Sequence, residues 1–175
     1  GKVGDIPRRN RVVFDTGRDF YVGDICVSSF PVAHDTAEPV GFVLWGEGRG
    51  VAVATDLGHM TRETLARLRE ADAVMLEANH DIDMLTNGRY PESLKRRILG
   101  KRGHLSNAAA GEALRELMEH GLRRVALAHL SQDNNTPETA YRTVASALEA
   151  AGARIGRDIQ IAMTRPDRPG MSWPL

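Results

Sequence analysis

Four short β-type runs in this chain lead into a residue able to bind a metal or move a proton: His34, Asp56, Glu77 and His129. The runs cover residues 25–33, 51–54, 73–76 and 125–128, and a glycine-rich or polar loop follows each. In an α/β sheet such loops gather along one edge, so two imidazoles and two carboxylates are expected together there. Histidine with aspartate is a ligand set for zinc or manganese. Each residue also has a plainer reading. A lone strand-end histidine is commonly a turn or packing residue, and Asp56 could simply cap a following helix. A carboxylate at the end of a buried run is still costly to desolvate unless a cation or hydrogen bonds meet it.

The second chemical signal is charge. Arg89, Lys95, Arg96, Arg97, Lys101 and Arg102 stand in one segment against a single acid, Glu92. Gly103-His104-Leu105-Ser106-Asn107 follows, and then an alanine-rich helix. Cations beside a helix N-terminus suit an anion, phosphate above all, with Ser106 and Asn107 at the helix start. A solvated connection between core elements is the alternative. Nothing suggests a protein nucleophile, because Cys26 lies inside a strand and no serine occupies an elbow motif. Neither GxGxxG nor a GxxxxGK phosphate loop occurs.

These groups need a scaffold. RVVFDTG, RDFYVGD and ICVSSFPVAH read as short strands, followed by a hairpin that pairs residues 39–45 with 51–54 across GEGRG. Thr61 caps a helix to Ala71, strand 73–77 is buried on both faces, and Pro91 opens a short helix closed by Gly100. Ser106 or Asn107 caps the helix 108–120, strand 125–128 follows, and Pro137 begins a helix to about Ala151. Residues 158–164 form an edge strand before a loosely ordered, proline-rich tail.

At 175 residues the chain fits one domain. Its 23 basic and 23 acidic side chains cancel, so any affinity for nucleic acid must come from local patches. One cysteine excludes an internal disulfide and fits a reducing, cytoplasmic setting. No run approaches a membrane span.

The tracts FPVAHDTAEPVGF, ATDLGHM, LEANHDIDMLTNGRYPESLKRRILGKRGHLSN and LAHLSQDNN resemble the successive motifs of metallo-β-lactamase-fold proteins of the WalJ/YycJ group. More distantly they resemble ribonuclease Z. The resemblance covers about residues 28–165 and implies an α/β fold, the αββα sandwich, present here mainly as its C-terminal half. Residues 1–50 would end the first half, 51–165 form the second, and 166–175 the tail. It also implies phosphodiester hydrolysis, in this group a 5′-to-3′ exonuclease activity on DNA, with two divalent metal ions.

Carried over by position, His34 and His129 resemble ligands of one metal each and Asp56 the bridging ligand. His104 resembles the proton donor at the scissile phosphate, and Glu77 the acid that orients it. His80 lies in the group signature NHD without an assigned role, and His59 stands where close relatives carry tyrosine. The family's HxHxDH motif is absent, so the missing N-terminal half is the expected partner, and the fragment alone is expected to be inactive. The mechanism implied is two-metal hydroxide attack with a histidine general acid. A hydrolase of a small ester or thioester, or a metal-free, inactive fragment, are the competing readings.

Overall fold

β-Branched and aromatic residues recur with a period of two through the first part of the chain, and that period becomes a sheet. The computed structural model describes residues 4–168 together with Gly170 and Trp173. Among these residues seven strands lie in sequence order: β1 (Asp19–Val22), β2 (Ile25–Pro31), β3 (Val40–Gly46), β4 (Arg49–Ala54), β5 (Ala73–Glu77), β6 (Arg124–Ala128) and β7 (Gln160–Met163). The first three pairings are antiparallel and the last three parallel. The turn between β3 and β4 places Glu47 and Gly48 at positive φ, the type I′ geometry that matches strand twist.

Five helices fill the connections: α1 (Arg62–Leu68), α2 (Ile82–Asn87), α3 (Glu92–Leu99), α4 (Asn107–Glu119) and α5 (Pro137–Ala150). Thr61, Ser106 and Thr136 begin α1, α4 and α5, each side-chain oxygen accepting from the amide three residues on. Parallel strands added in sequence order by connections of one hand leave their helices on one face. Leu65, Leu68, Leu114, Leu117, Val144 and Leu148 accordingly share a core with Val43, Ala52, Val74, Leu76, Val125 and Leu127. Removing a fully buried leucine such as Leu76 would cost about 2–5 kcal/mol.

The opposite sheet face is more open. Phe42, Leu44, Val51, Val53, Met75 and Ala126 are half-buried there, Phe14 packs edge-on against Phe42, and a cavity between Met75 and Met163 also reaches Trp173. Strand 73–77 is nonetheless buried on both faces except at Met75, as its unbroken apolar run suggested. RVVFDTG is not a strand either: Val12 and Val13 are exposed and residues 11–15 have no regular structure. Only Phe14 of this run meets an apolar surface, and its β propensity finds no strand to pair with. Helix α2 was not anticipated. Asp81 caps it by accepting from the Met84 amide. Ser106, not Asn107, is the cap of α4, and Asn107 is its first helical residue.

Among the described residues no helix is long and apolar enough to cross a membrane. The last residues of the proline-rich tail lie outside the described residues.

Candidate metal centre

Two antiparallel steps give β2 the same direction as β4, so the segments after β2, β4, β5 and β6 emerge at one edge. His34, Asp56, Glu77 and His129 meet there, as the strand-end pattern required. The loop before α4 brings in His104. Asp56 Oδ1 lies 3.7 Å from His34 Nε2, 3.9 Å from His104 Nδ1 and 3.7 Å from His129 Nδ1. Glu77 sits beneath them, fully buried, and its Oε1 accepts from His104 Nδ1 at 2.7 Å and from His129 Nδ1 at 2.9 Å. Its Oε2 accepts from the Leu57 amide at 2.8 Å.

These contacts govern ionisation and ring orientation. Burial alone would push the Glu77 carboxyl up, but hydrogen bonds from His104, His129 and Leu57 outweigh it and hold the group below its ordinary value. The bond to Glu77 raises His129 against the opposing effect of burial. His34 Nδ1 donates to the Gly103 carbonyl at 2.8 Å, which leaves Nε2 as the ring atom facing Asp56. Each of the three imidazoles therefore has Nδ1 engaged by an oxygen, the arrangement that fixes the tautomer of a ligating histidine.

Two site residues are held in a costly backbone conformation. Asp56 has φ of 55° and His129 of 57°, and among the described residues the third non-glycine residue at positive φ is the turn residue Glu47. Left-handed geometry at a non-glycine residue costs on the order of 1–3 kcal/mol and persists where surrounding contacts dictate it. The donor atoms fit a cation. His34, Asp56 and His104 form one group and Glu77, His104 and His129 another, with the ligand atoms in each within 4.8 Å of one another. Imidazole and carboxylate suit a borderline divalent ion, and a buried carboxylate beneath the rings adds a negative charge that a cation offsets.

Residues 2–130 match the family described as Beta-lactamase superfamily domain. The chain belongs to the beta-lactamase superfamily. It is 38% identical over 167 residues to the exodeoxyribonuclease YycJ of Bacillus anthracis, a match covering 95% of this chain and 63% of that protein. It is 32% identical over 165 residues to the exodeoxyribonuclease WalJ of Streptococcus pneumoniae, covering 94% and 61%. The chain thus spans less than two thirds of the length of these curated relatives. Among solved structures, the metallo-β-lactamase fold protein YhfI of Bacillus subtilis superposes with a TM-score of 0.65 at 13% identity, over 93% of this chain and 54% of that one. Zinc-bound PqqB of Methylobacterium extorquens superposes with a TM-score of 0.56 at 18% identity, over 93% and 51%. The α/β fold is that of the metallo-β-lactamases.

Around this cluster the other sequence candidates divide. His59 is exposed and donates Nδ1 to the Lys101 carbonyl at 2.8 Å. His80 is 1% exposed, both its ring nitrogens lack a partner among the described residues, and burial lowers its pKa. Three of the cations are committed to acids. Arg97 grips Asp35 at 2.5 and 3.0 Å and thereby lowers the Asp35 carboxyl to about 2. Arg89 pairs with Asp133, and Lys95 with Glu92. Arg102 donates Nε to the His34 carbonyl, and Arg96 and Lys101 make no ion pair among the described residues. Ser106 is used as the α4 cap, and Asn107 is buried with its amide bonded to Asn135.

Sequence reasoning passed over two features. Gly58 and Gly103 let the Asp56 and His104 loops touch, since a Cβ at Gly58 would strike the Gly103 amide and the Lys101 carbonyl. Asn79, Asn107 and Asn135 hold the loops together from below. The consecutive asparagines Asn134-Asn135, placed just after a strand-end histidine, were the available signal.

Proposed function

We propose that this chain carries part of the metal centre of a phosphodiester hydrolase that acts on DNA as a 5′-to-3′ exonuclease. The reading is carried by the meeting of three imidazoles and Asp56 over a buried, shared Glu77, in a chain 38% identical to a protein named an exodeoxyribonuclease. His34, Asp56 and His129 would hold divalent ions, zinc or manganese, together with further ligands from an HxHxDH-bearing half of the same fold. The half-buried apolar face of β3 to β6 is where that half packs. Bound ions supply Lewis-acid activation of the phosphodiester and of the attacking water.

The chain's own residues do the rest. His104 gives Nδ1–H to Glu77 and so presents Nε2 as the proton donor to the leaving oxygen. The ionised Glu77 stabilises the charged imidazole and fixes its ring. Arg96, Lys101 and Arg102, left without carboxylate partners among the described residues, take the flanking phosphates.

The test is His104→Ala in the full-length protein. It should lose about 10²–10⁴-fold in rate on DNA while keeping its metals. The loss should shrink on a nitrophenyl phosphodiester, whose leaving group needs no proton. Metal loss, or equal slowing on both substrates, overturns the general-acid role.

A further inference from the structure

A knot of buried amides joins three of the chain segments that reach the site. The segment after β5 is stitched to the loop before α4 by Asn79 N–H donating to the Leu105 carbonyl at 2.8 Å and Asn107 N–H to the His80 carbonyl at 2.9 Å. On its other side, Ser131 N–H donates to the Asn79 carbonyl at 2.7 Å, and Asn79 Nδ2 donates to the His129 carbonyl at 2.8 Å. The two flanking segments carry His104 and His129, and one side-chain pair links them directly. Asn107 Nδ2 donates to Asn135 Oδ1 at 3.0 Å, and Asn135 Nδ2 donates back to Asn107 Oδ1 at 2.9 Å. Asn107 is 1% exposed and Asn135 5%.

Asn135 is anchored independently. Its Nδ2 also donates to the Ala78 and Asn79 carbonyls, and its Oδ1 accepts from the Thr136 amide. Asn107 has no such further bonds from its side chain among the described residues. Its amide therefore serves the link between the His104 segment and the His129 segment and little else. That link matters because both imidazoles must reach the same oxygen of Glu77.

We propose that Asn107 is a positioning residue: its reciprocal amide pair with Asn135 fixes the spacing of His104 and His129 over Glu77. The ring tautomers, the metal affinity and the proton transfer depend on that spacing. A phosphate contact at the start of α4 does not suit a side chain so buried and so fully used. The proposal rests on the metal-dependent reading above for its kinetic consequences but not for its spectroscopic one.

The test compares Asn107→Leu, which removes the pair and keeps the volume, with Asn107→Asp. The carboxylate of the latter still accepts from Asn135 Nδ2 but sets its other oxygen against Asn135 Oδ1, so it keeps one bond of the pair and loses the other. In the full-length protein, Asn107→Leu should weaken zinc binding by about 10–100-fold, the usual effect of losing an outer-shell partner. It should lower kcat on DNA with KM unchanged, and Asn107→Asp, which keeps one of the two bonds, should fall between Asn107→Leu and the parent in both. Nitrogen-15 ring spectra above neutral pH should show His104 and His129 protonated at Nδ1 in the parent and in Asn107→Asp, and a tautomer mixture in Asn107→Leu. If Asn107→Leu does not fold, Asn107→Ser, too short to reach Asn135, carries the same comparison. Unchanged tautomers and zinc affinity with only a lower Tm overturn the proposal. A raised KM with a flattened salt dependence and unchanged kcat overturns it in favour of a phosphate contact. If the parent binds neither zinc nor manganese, the metal reading fails while the tautomer comparison still decides this one.

Discussion

His34 and Gly103, 69 residues apart in sequence, are joined by one hydrogen bond from the imidazole Nδ1 to the glycine carbonyl at 2.8 Å. The glycine's neighbour is His104, so a single peptide orients one imidazole and carries the next. The Gly58 amide also donates to the Ala33 carbonyl at 2.8 Å, closing the Asp56 loop onto the same segment.

That closeness makes Gly103→Ala a sharp perturbation. A Cβ there would overlap the carbonyl oxygens of Arg97 and Ile98, backbone atoms that cannot swing aside. Overpacking of this kind costs about 1–3 kcal/mol. Thermal denaturation should show that loss, and zinc titration should show weakened binding, because His34 and His104 both shift. A variant with full zinc affinity would show that the peptide does not set the rings.

The positive φ of Asp56 separates stability from function. Asp56→Gly relieves the strain, whereas Asp56→Ala keeps it, so the glycine variant should be more stable than the alanine variant by about 1 kcal/mol. Both should bind less zinc. Equal melting temperatures would mean that the surrounding contacts do not hold the residue in that conformation.

Glu77 and His129 make stability depend on pH in opposite directions at the two ends. The lowered Glu77 contributes stability above its ordinary value of 4.5, which is lost as pH falls through its folded value. The raised His129 contributes below its ordinary 6.5, and that stability is lost as pH rises through its folded value. Buried His80, with a lowered pKa, acts against His129 over the same range. The comparison to make is therefore the metal-free parent minus His129→Gln, from melts at successive pH values. The difference should be largest between 4.5 and 6.5 and shrink on the alkaline side. A difference that does not vary with pH would contradict the Glu77–His129 bond.

The cations should not behave alike on DNA. Alanine at Arg96, Lys101 or Arg102 should reduce the slope of log affinity against log salt by about 0.7–0.9 for each phosphate that the parent side chain neutralises. Alanine at Arg97 should leave the slope unchanged, because Asp35 already neutralises it. Affinity measured over a salt series decides this, and equal slopes for all four variants would remove the distinction.

The edge on which His34, Asp56, Glu77 and His129 meet was legible in the sequence. Alternation and apolar runs mark the strands, short turns and helical crossovers set their relative directions, and connections of one hand keep the order sequential. The cap at Thr61 was legible for a local reason: a side-chain oxygen reaching an amide three residues on needs no distant partner. RVVFDTG misled because its β propensity found no partner strand, and α2 was missed because a six-residue helix carries too little periodicity to stand out.

Partner choice was decided only by the tertiary structure. Nothing local says that Arg97 will meet Asp35 rather than a phosphate, or that Asn107 will be buried against Asn135. Nor does it say that one oxygen of Glu77 will receive both His104 and His129. These contacts join loops 27 to 62 residues apart, and loop closure is governed by which glycines permit approach and which buried polar groups must be satisfied. A linear pattern determines which residues reach the edge. The geometry of the folded loops determines which of them touch, because hydrogen bonding is directional and falls away within a fraction of an ångström.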